Sequence, residues 1–200
     1  MARRTHPAPG RRTGTRSLGG SLVSKKVLIL SSSPRKRGNS NALCDQFAKG
    51  AVEASHRVDK VLLGEKKINY CRGCYACVGS GRCAQKDDMA QILDEMIAAD
   101  VIVLATPVYF YTMCAQLKTL IDRTVARYTE ITNKDFYFIV TAADGRKAAL
   151  ERTIEGLRGF TSCLRGAKEK GIVYGTGACE IGDILASRAM KQAYEMGKAL

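Results

Sequence analysis

Short apolar runs alternate with amphipathic stretches along most of the chain. The runs at 27–30 and 101–104 are uninterrupted and rich in β-branched residues, which is typical of strands buried on both faces. The stretch 114–126 instead repeats its apolar residues at i, i+3, i+4 and i+8 from Leu117, as an amphipathic helix does. The full pattern predicts strands at 27–30, 58–63, 101–104, 136–141 and 171–174, and helices at 42–54, 88–96, 114–126, 148–163 and 184–200.

This alternation of strands and helices predicts an α/β fold with a doubly wound parallel sheet. In such sheets, ligands bind outside the carboxyl ends of the strands, where the strand order reverses. We therefore expect the loops that follow the first, third and fourth strands to converge on one crevice. Those loops begin near Ser31, Thr106 and Ala142.

The loop after the first strand has the composition of an anion-binding site. Three serines are followed by Pro34, by the basic residues 35–37 and by Gly38, which permits a tight backbone path. Asn39 and Ser40 suit the N-cap of the next helix. Hydroxyl groups, an arginine fork and a helix N-terminus all favour phosphate. The alternative is an ordinary strand-to-helix turn with solvated charges, since the loop lacks the glycine patterns of a P-loop or a Rossmann turn.

Composition and charge limit the classes of protein to which the chain can belong. The chain of 200 residues suits one domain, its 46% hydrophobic content is that of a globular protein, and no apolar run approaches the ~20 residues of a membrane span. Of the net charge of +13, five positive charges lie in residues 1–22, which contain no acid and leave +8 for the remainder. We expect residues 1–22 to form a disordered basic tail, without the apolar core of a signal peptide, and residues 23–200 to form the domain. A basic surface suits nucleic acid, an anionic cofactor or an acidic partner, and charge does not choose among them.

Four of the eight cysteines lie close together in a polar segment. Their spacing, C-x₂-C-x₂-C-x₅-C, can surround a [4Fe–4S] cube, whereas structural zinc sites usually split two pairs by a longer separation. The glycines between them let the loop wrap around a cluster. The alternative is a cysteine loop without a cluster. The candidate ligands are Cys71, Cys74, Cys77 and Cys83, the expected core cysteines are Cys44, Cys114 and Cys163, and Cys179 has no expected partner.

Several motifs occur in an order that resembles a known family. They are Ser-Pro-Arg-x-x-Gly-Asn-Ser at 33–40, Cys-Arg-Gly-Cys-Tyr-Ala-Cys at 71–77, Asp-Asp-Met at 87–89, Ala-Asp-Val-Ile-Val at 99–103, Pro-Val-Tyr at 107–109 and Leu-Lys-Thr-Leu-Ile-Asp-Arg at 117–123. Residues 25–200 thereby resemble the NADPH-dependent FMN reductase family, and the cysteine spacing is similar to that of the iron-sulfur flavoproteins. The resemblance implies a flavodoxin-like three-layer sandwich with a five-stranded parallel sheet in the order 2-1-3-4-5. Ser32 departs from the glycine that is common in the family.

The resemblance also implies bound FMN. It places the phosphate on Ser33, Arg35, Asn39 and Ser40, and the isoalloxazine ring against Pro107, Val108, Tyr109, Phe110, Thr141, Ala142, Ala143, Asp144 and Gly145. Apolar and aromatic walls with nearby backbone groups are what a flavin ring requires. For the aromatic residues 109–111, simple packing or a subunit contact is the alternative.

The activity implied by the resemblance is that of an FMN-dependent NAD(P)H oxidoreductase. Hydride passes from NAD(P)H to flavin N5 and then to a small-molecule acceptor such as a flavin or a quinone, so no catalytic residue is required of the protein. The two histidines, His6 and His56, belong to no catalytic arrangement in the sequence. The alternative is an iron-sulfur flavoprotein that transfers single electrons with a ferredoxin-like partner. We expect a cytoplasmic homodimer or homotetramer with no nucleic-acid or membrane partner.

Overall fold

Five parallel strands form the central sheet of the computed structural model, which describes residues 23–200. The basic tail predicted at 1–22 lies outside the described residues. The strand order is β2-β1-β3-β5-β6, and the short β4 pairs with β3 in the antiparallel sense. The strands are β1 (Lys26–Ser31), β2 (Arg57–Leu62), β3 (Val101–Tyr109), β4 (Thr112–Met113), β5 (Asp135–Thr141) and β6 (Lys168–Gly175). The predicted parallel sheet and its order are therefore confirmed, with one additional short strand.

Five α-helices cover the two faces of the sheet. They are α1 (Asn39–Glu53), α2 (Met89–Ala98), α3 (Ala115–Arg123), α4 (Glu151–Ser162) and α5 (Arg188–Lys198). Three of the predicted helices are shorter than expected because 3-10 turns replace part of their length, at Thr124–Ala126 after α3, Lys147–Ala149 before α4 and Asp183–Ala186 before α5. Among the helices of residues 23–200, none has the length and apolar character needed to cross a bilayer.

The central strands divide the core into two layers. In β1, the fully buried side chains of Val27 and Ile29 pack on the α1–α5 side, while those of Leu28 and Leu30 pack on the side of α2, α3 and α4. Alternate residues of a strand point to opposite faces, so an unbroken apolar run supplies both layers. The uninterrupted runs in the sequence are thus explained by the central position of β1 and β3.

Helices α1 and α5 pack at unusually short range through two glycines. A Cβ atom added at Gly50 would clash with the backbone carbonyl oxygen of Tyr194, and one added at Gly197 would clash with that of Phe47. Both obstacles are backbone atoms, which cannot rotate away as a side chain can. This contact fixes the position of α1, whose first turn faces the candidate site described below.

The segment predicted as a loop at 106–111 is instead the end of a hairpin, and that prediction is wrong in part. Strand β3 continues to Tyr109 and pairs with β4 in the register Val108 to Met113 and Tyr109 to Thr112. The two turn residues, Phe110 and Tyr111, have positive φ values of 48° and 64°. Such two-residue turns normally carry Asn or Gly, because bulky residues are strained in this region. The turn places Phe110 at the tip of the hairpin, where its side chain is almost fully exposed.

Candidate functional site

The loops that follow β1, β3 and β5 meet at one edge of the sheet, as the topology predicts. They enclose a cavity of about 200 Å³. All of the predicted flavin residues except Phe110, Asp144 and Gly145 line it. The lining residues are Ser33, Arg35, Gly38, Asn39, Ser40, Pro107, Val108, Tyr109, Thr141, Ala142, Ala143, Ala178 and Cys179.

Three of the predicted residues lie outside the cavity wall, and three residues that were not predicted belong to it. Phe110 is 99% exposed at the hairpin tip, outside the cavity wall. The Asp144 carboxylate accepts hydrogen bonds from the Arg146 guanidinium at 2.7 Å and from the Arg146 backbone N–H at 2.8 Å. These bonds lower the pKa of Asp144 to about 2. Sequence reasoning missed Gly38, Ala178 and Cys179 as lining residues. The glycine-rich loop at 175–182, which contains two of them, is the signal that could have found them.

The β1–α1 loop is held in a tight path that requires glycine at position 38. A Cβ atom there would lie 2.7 Å from Ser33 Oγ and 2.9 Å from the Arg35 carbonyl oxygen. The Asn41 side-chain amide donates to the carbonyl oxygens of Arg35 and Lys36 at 3.0 and 3.1 Å. The loop is therefore preorganised by the first turn of the helix that follows it.

Helix α1 begins at Asn39, three residues before its predicted start at 42, and the prediction of Asn39 or Ser40 as its N-cap is wrong. Gly38 is the N-cap, and Asn39 and Ser40 lie inside the first turn without making a side-chain cap hydrogen bond. The backbone N–H groups of a first turn have no acceptor within their own helix. Because Asn39 and Ser40 line the cavity, the positive end of the helix dipole also faces it, which favours an anion.

Polar side chains connect the cavity walls. The Arg35 guanidinium donates to the Cys179 carbonyl oxygen at 3.0 Å, and the Asn39 amide donates to the Glu180 carbonyl oxygen at 2.8 Å. The hydroxyl oxygens of Ser40 and Thr141 are 2.7 Å apart. The loop after β6 is thus hydrogen-bonded to the β1–α1 loop and to the first turn of α1, and it contributes Ala178 and Cys179 to the cavity wall.

Ser32, which stands where the family commonly has glycine, fits the site without strain. Its side chain is buried, and both its hydroxyl and its backbone N–H donate to the Ala105 carbonyl oxygen, at 2.7 and 2.9 Å. The thiol of Cys114 lies 3.1 Å from the Ser32 hydroxyl. Cys44 and Cys114 are buried as predicted, whereas Cys163 is exposed, so its predicted place in the core is wrong.

The four clustered cysteines line a second cavity, of about 340 Å³, in the connection between β2 and α2. The loop reverses direction at Gly73, Gly79 and Gly81, whose φ values are all positive, as a wrapping loop requires. Cys71 and Cys74 are exposed, and Cys77 and Cys83 are half-buried. Within residues 23–200 there is no group of three Cys, His, Asp or Glu side chains close enough to hold a metal ion. The thiols therefore share a cavity but are not assembled in ligand geometry.

A buried ion pair anchors the base of this cysteine loop. Arg123, at the end of α3, donates to the two carboxylate oxygens of Asp87 at 2.7 and 2.9 Å and to the Asn69 carbonyl oxygen at 2.6 Å. Burial raises the pKa of Asp87, but hydrogen bonds from Arg123 and from the backbone N–H groups of Asn69 and Met89 outweigh it, so the net pKa is lowered. The pair holds together the two ends of the segment that carries the cysteines. Sequence reasoning quoted both residues within motifs but did not predict their pairing.

The chain matches a described family and several curated relatives. The family described as NADPH-dependent FMN reductase matches residues 25–167. An iron-sulfur flavoprotein of Methanocaldococcus jannaschii is 34% identical over 137 residues, which cover 68% of this chain and 70% of that protein. An iron-sulfur flavoprotein of Archaeoglobus fulgidus is 41% identical over 98 residues, which cover 49% of this chain and 44% of that protein. The matched part thus spans less than half the length of the Archaeoglobus relative.

Solved structures share the fold. The azoreductase of Bacillus anthracis str. Sterne superimposes with a TM-score of 0.69 at 18% identity, covering 88% of this chain and 100% of that protein. At this level of identity, the likeness concerns the arrangement of strands and helices alone.

Proposed function

Since this chain belongs to the NADPH-dependent FMN reductase family and, within it, to the iron-sulfur flavoproteins, we propose that it is an FMN-dependent NAD(P)H oxidoreductase. When bound, FMN supplies the redox chemistry by taking hydride from NAD(P)H at N5 and passing the electrons to a small-molecule acceptor. The observation that carries the proposal is the convergence of anion-binding groups and apolar walls on one cavity at the carboxyl edge of the sheet.

The β1–α1 side of the cavity suits the FMN phosphate. Ser33, Arg35, Asn39 and Ser40 bring a hydroxyl pair, a guanidinium and an amide next to a helix N-terminus that has no acidic residue in its first turn. Charge-assisted hydrogen bonds and the helix dipole act in the same direction on a phosphate. A cavity of about 200 Å³ is smaller than the ~300–1,000 Å³ typical of whole cofactor pockets, so we assign the phosphate to its β1–α1 side and the ring to its β3–β5 rim, from which the ring would extend out of the cavity.

The rim between β3 and β5 suits the flavin ring. Pro107, Val108 and Tyr109 form one wall, and the backbone of residues 141–143 faces it across the cavity. Asp144, Gly145 and Phe110 lie beyond the cavity, where they could contact only the outer part of the ring or the substrate. His56 lies far from this edge, because its Nδ1 accepts the backbone N–H of Lys25 before β1 begins. No protein acid or base is therefore assigned to the reaction.

Replacing Arg35 by alanine is expected to weaken FMN binding by about 10- to 100-fold, since the loss of a charge-assisted hydrogen bond costs about 1.5–3 kcal/mol. Flavin retention after dialysis and titration of the flavin-free protein with FMN measure the effect. Arg37→Ala is the matched control, because it removes the same charge from the same loop at an exposed residue that does not line the cavity. Equal losses of affinity in the two variants would contradict the assignment.

A second candidate function is one-electron transfer with a ferredoxin-like partner. The observation that favours it is the shared cavity of the four cysteines, whose donor set fits a [4Fe–4S] cluster although the thiols are not assembled for a metal. Such a cluster would be held by the four cysteines and would supply single-electron chemistry. Rapid bleaching of the flavin by NADPH would favour the oxidoreductase, and bleaching only by reduced ferredoxin would favour the second function.

Replacing Cys74 by alanine is expected to abolish iron binding and leave FMN bound, because the cysteine loop and the phosphate site are separate. The measurement is iron, acid-labile sulfide and flavin content after anaerobic purification. Cys163→Ala, which removes an exposed cysteine outside the loop, should leave all three unchanged. Negligible iron in wild-type protein co-expressed with cluster-assembly machinery would contradict the cluster and leave an FMN reductase. The cytoplasmic location and the homodimeric or homotetrameric assembly stay predictions.

A further inference from the structure

One nitrogen of a buried arginine lacks a partner next to the cysteine cavity. Arg123 is only 2% exposed, and its two terminal nitrogens are occupied by Asp87 and by the Asn69 carbonyl oxygen. Its Nε makes no hydrogen bond with any atom of residues 23–200. A buried N–H group without an acceptor is unfavourable, so the native protein is expected to supply an acceptor for it.

Among the four clustered cysteines, Cys83 is the one that lines both of the cavities that Arg123 lines. Arg123 and Cys83 both line the cysteine cavity, and both also line the adjoining cavity of about 980 Å³. The arginine and the cysteine therefore both lie in the part of the wall that the two cavities share.

Asp87 fixes the orientation of the Arg123 Nε–H group. Its carboxylate accepts hydrogen bonds from both terminal nitrogens of Arg123, which holds the planar guanidinium in one orientation and leaves Nε on the edge that Asp87 does not contact. Because Asp87 also neutralises the arginine charge, the remaining influence on a nearby sulfur is a directed hydrogen bond.

We propose that Arg123 is a positioning residue that donates its Nε–H to the sulfur of Cys83 when that sulfur ligates an iron-sulfur cluster, and that this bond raises the reduction potential of the cluster. The proposal rests on the cluster-binding part of the proposed function. Hydrogen bonds to the sulfurs of a cluster stabilise its reduced, more negative form, and such outer contacts also orient the ligands. Lysine would not replace this arginine, because an ammonium paired with Asp87 offers no second, fixed N–H edge.

The test uses the full-length protein, purified anaerobically, with Arg123→Lys as the first variant. The double variant Asp87→Asn with Arg123→Met is the second, since it removes the Nε–H without leaving a buried unpaired charge if the lysine variant does not fold. The control is Arg127→Met, which removes a nearby partly exposed cation that also lines the larger cavity. Iron and sulfide content, the cluster midpoint potential and the flavin midpoint potential are measured for each protein.

We expect both Arg123 variants to release iron to a chelator faster and to show a more negative cluster midpoint potential, with the flavin potential unchanged. The shift should exceed that of Arg127→Met, because both Arg123 variants lose the directed hydrogen bond while the net charge of the site is unchanged, whereas Arg127→Met removes only a charge. A purely structural role would change iron content without moving the potential. Iron-loaded variants with the wild-type potential would overturn this proposal alone. Wild-type protein without iron would overturn it together with the cluster-binding part of the proposed function.

Discussion

Replacing Asp87 by alanine is expected to lower the free energy of unfolding by about 3–5 kcal/mol, the usual cost of removing one partner from a buried ion pair. The side chains of Asp87 and Arg123 are almost completely shielded from solvent, so the substitution leaves the guanidinium charged and uncompensated. It also deprives the backbone N–H groups of Asn69 and Met89 of their acceptor. Urea denaturation followed by circular dichroism measures the change.

Two comparisons distinguish the effect of leaving a buried charge unpaired from the effect of removing a carboxylate in general. Asp94→Ala breaks a solvent-exposed pair with Arg127 and should cost no more than about 1 kcal/mol. The double variant Asp87→Asn with Arg123→Met should recover much of the stability lost in Asp87→Ala, because no buried charge is left unpaired. If Asp87→Ala and Asp94→Ala were equally stable, the buried pair would not be the anchor that we infer.

Replacing Gly50 by alanine is expected to destabilise the protein by about 3 kcal/mol or more, at the upper end of the range for overpacking. The new methyl group would meet the Tyr194 carbonyl oxygen, so α1 and α5 must move apart. Because α1 carries Asn39 and Ser40 into the candidate phosphate site, we also expect weaker FMN binding. Thermal unfolding and FMN titration measure the two effects.

Gly159 provides a matched control within another helix. It is exposed in the last turn of α4, and an added Cβ there would have no atom within 4 Å. Gly159→Ala should therefore stabilise the protein by about 0.5–1 kcal/mol, because alanine favours the helix over the unfolded chain. A destabilising Gly159→Ala, or a neutral Gly50→Ala, would show that the two environments do not differ as described.

The hydrophobic pattern of the chain predicts the layers of the fold and the edge of the sheet where the candidate site forms, and the family resemblance predicts the sheet order. Unbroken apolar runs at 27–30 and 101–104 specify strands buried on both faces, and the intervening amphipathic stretches specify helices that cover them. In a parallel doubly wound sheet, the loops after the strands must meet at the carboxyl edge, so local pattern and composition together predict most of the cavity wall. The layers and the position of the site can be predicted because periodicity and loop position are read directly from the order of residues along the chain.

Features that depend on contacts between distant segments can be recognised only in the folded structure. The β6 strand begins with three exposed, charged residues at 168–170, so pairing with β5 rather than an apolar pattern defines its start. The Asp87–Arg123 pair joins residues that are 36 positions apart, and the closure of the cavity by the loop at 178–183 joins residues more than 140 apart. Partner choice at such separations is set by how the helices pack on the sheet, which no local pattern encodes. The close approach of α1 and α5 is another example of a feature that local pattern does not predict. The need for glycine at positions 50 and 197 becomes evident only when the position of the opposing helix backbone is known.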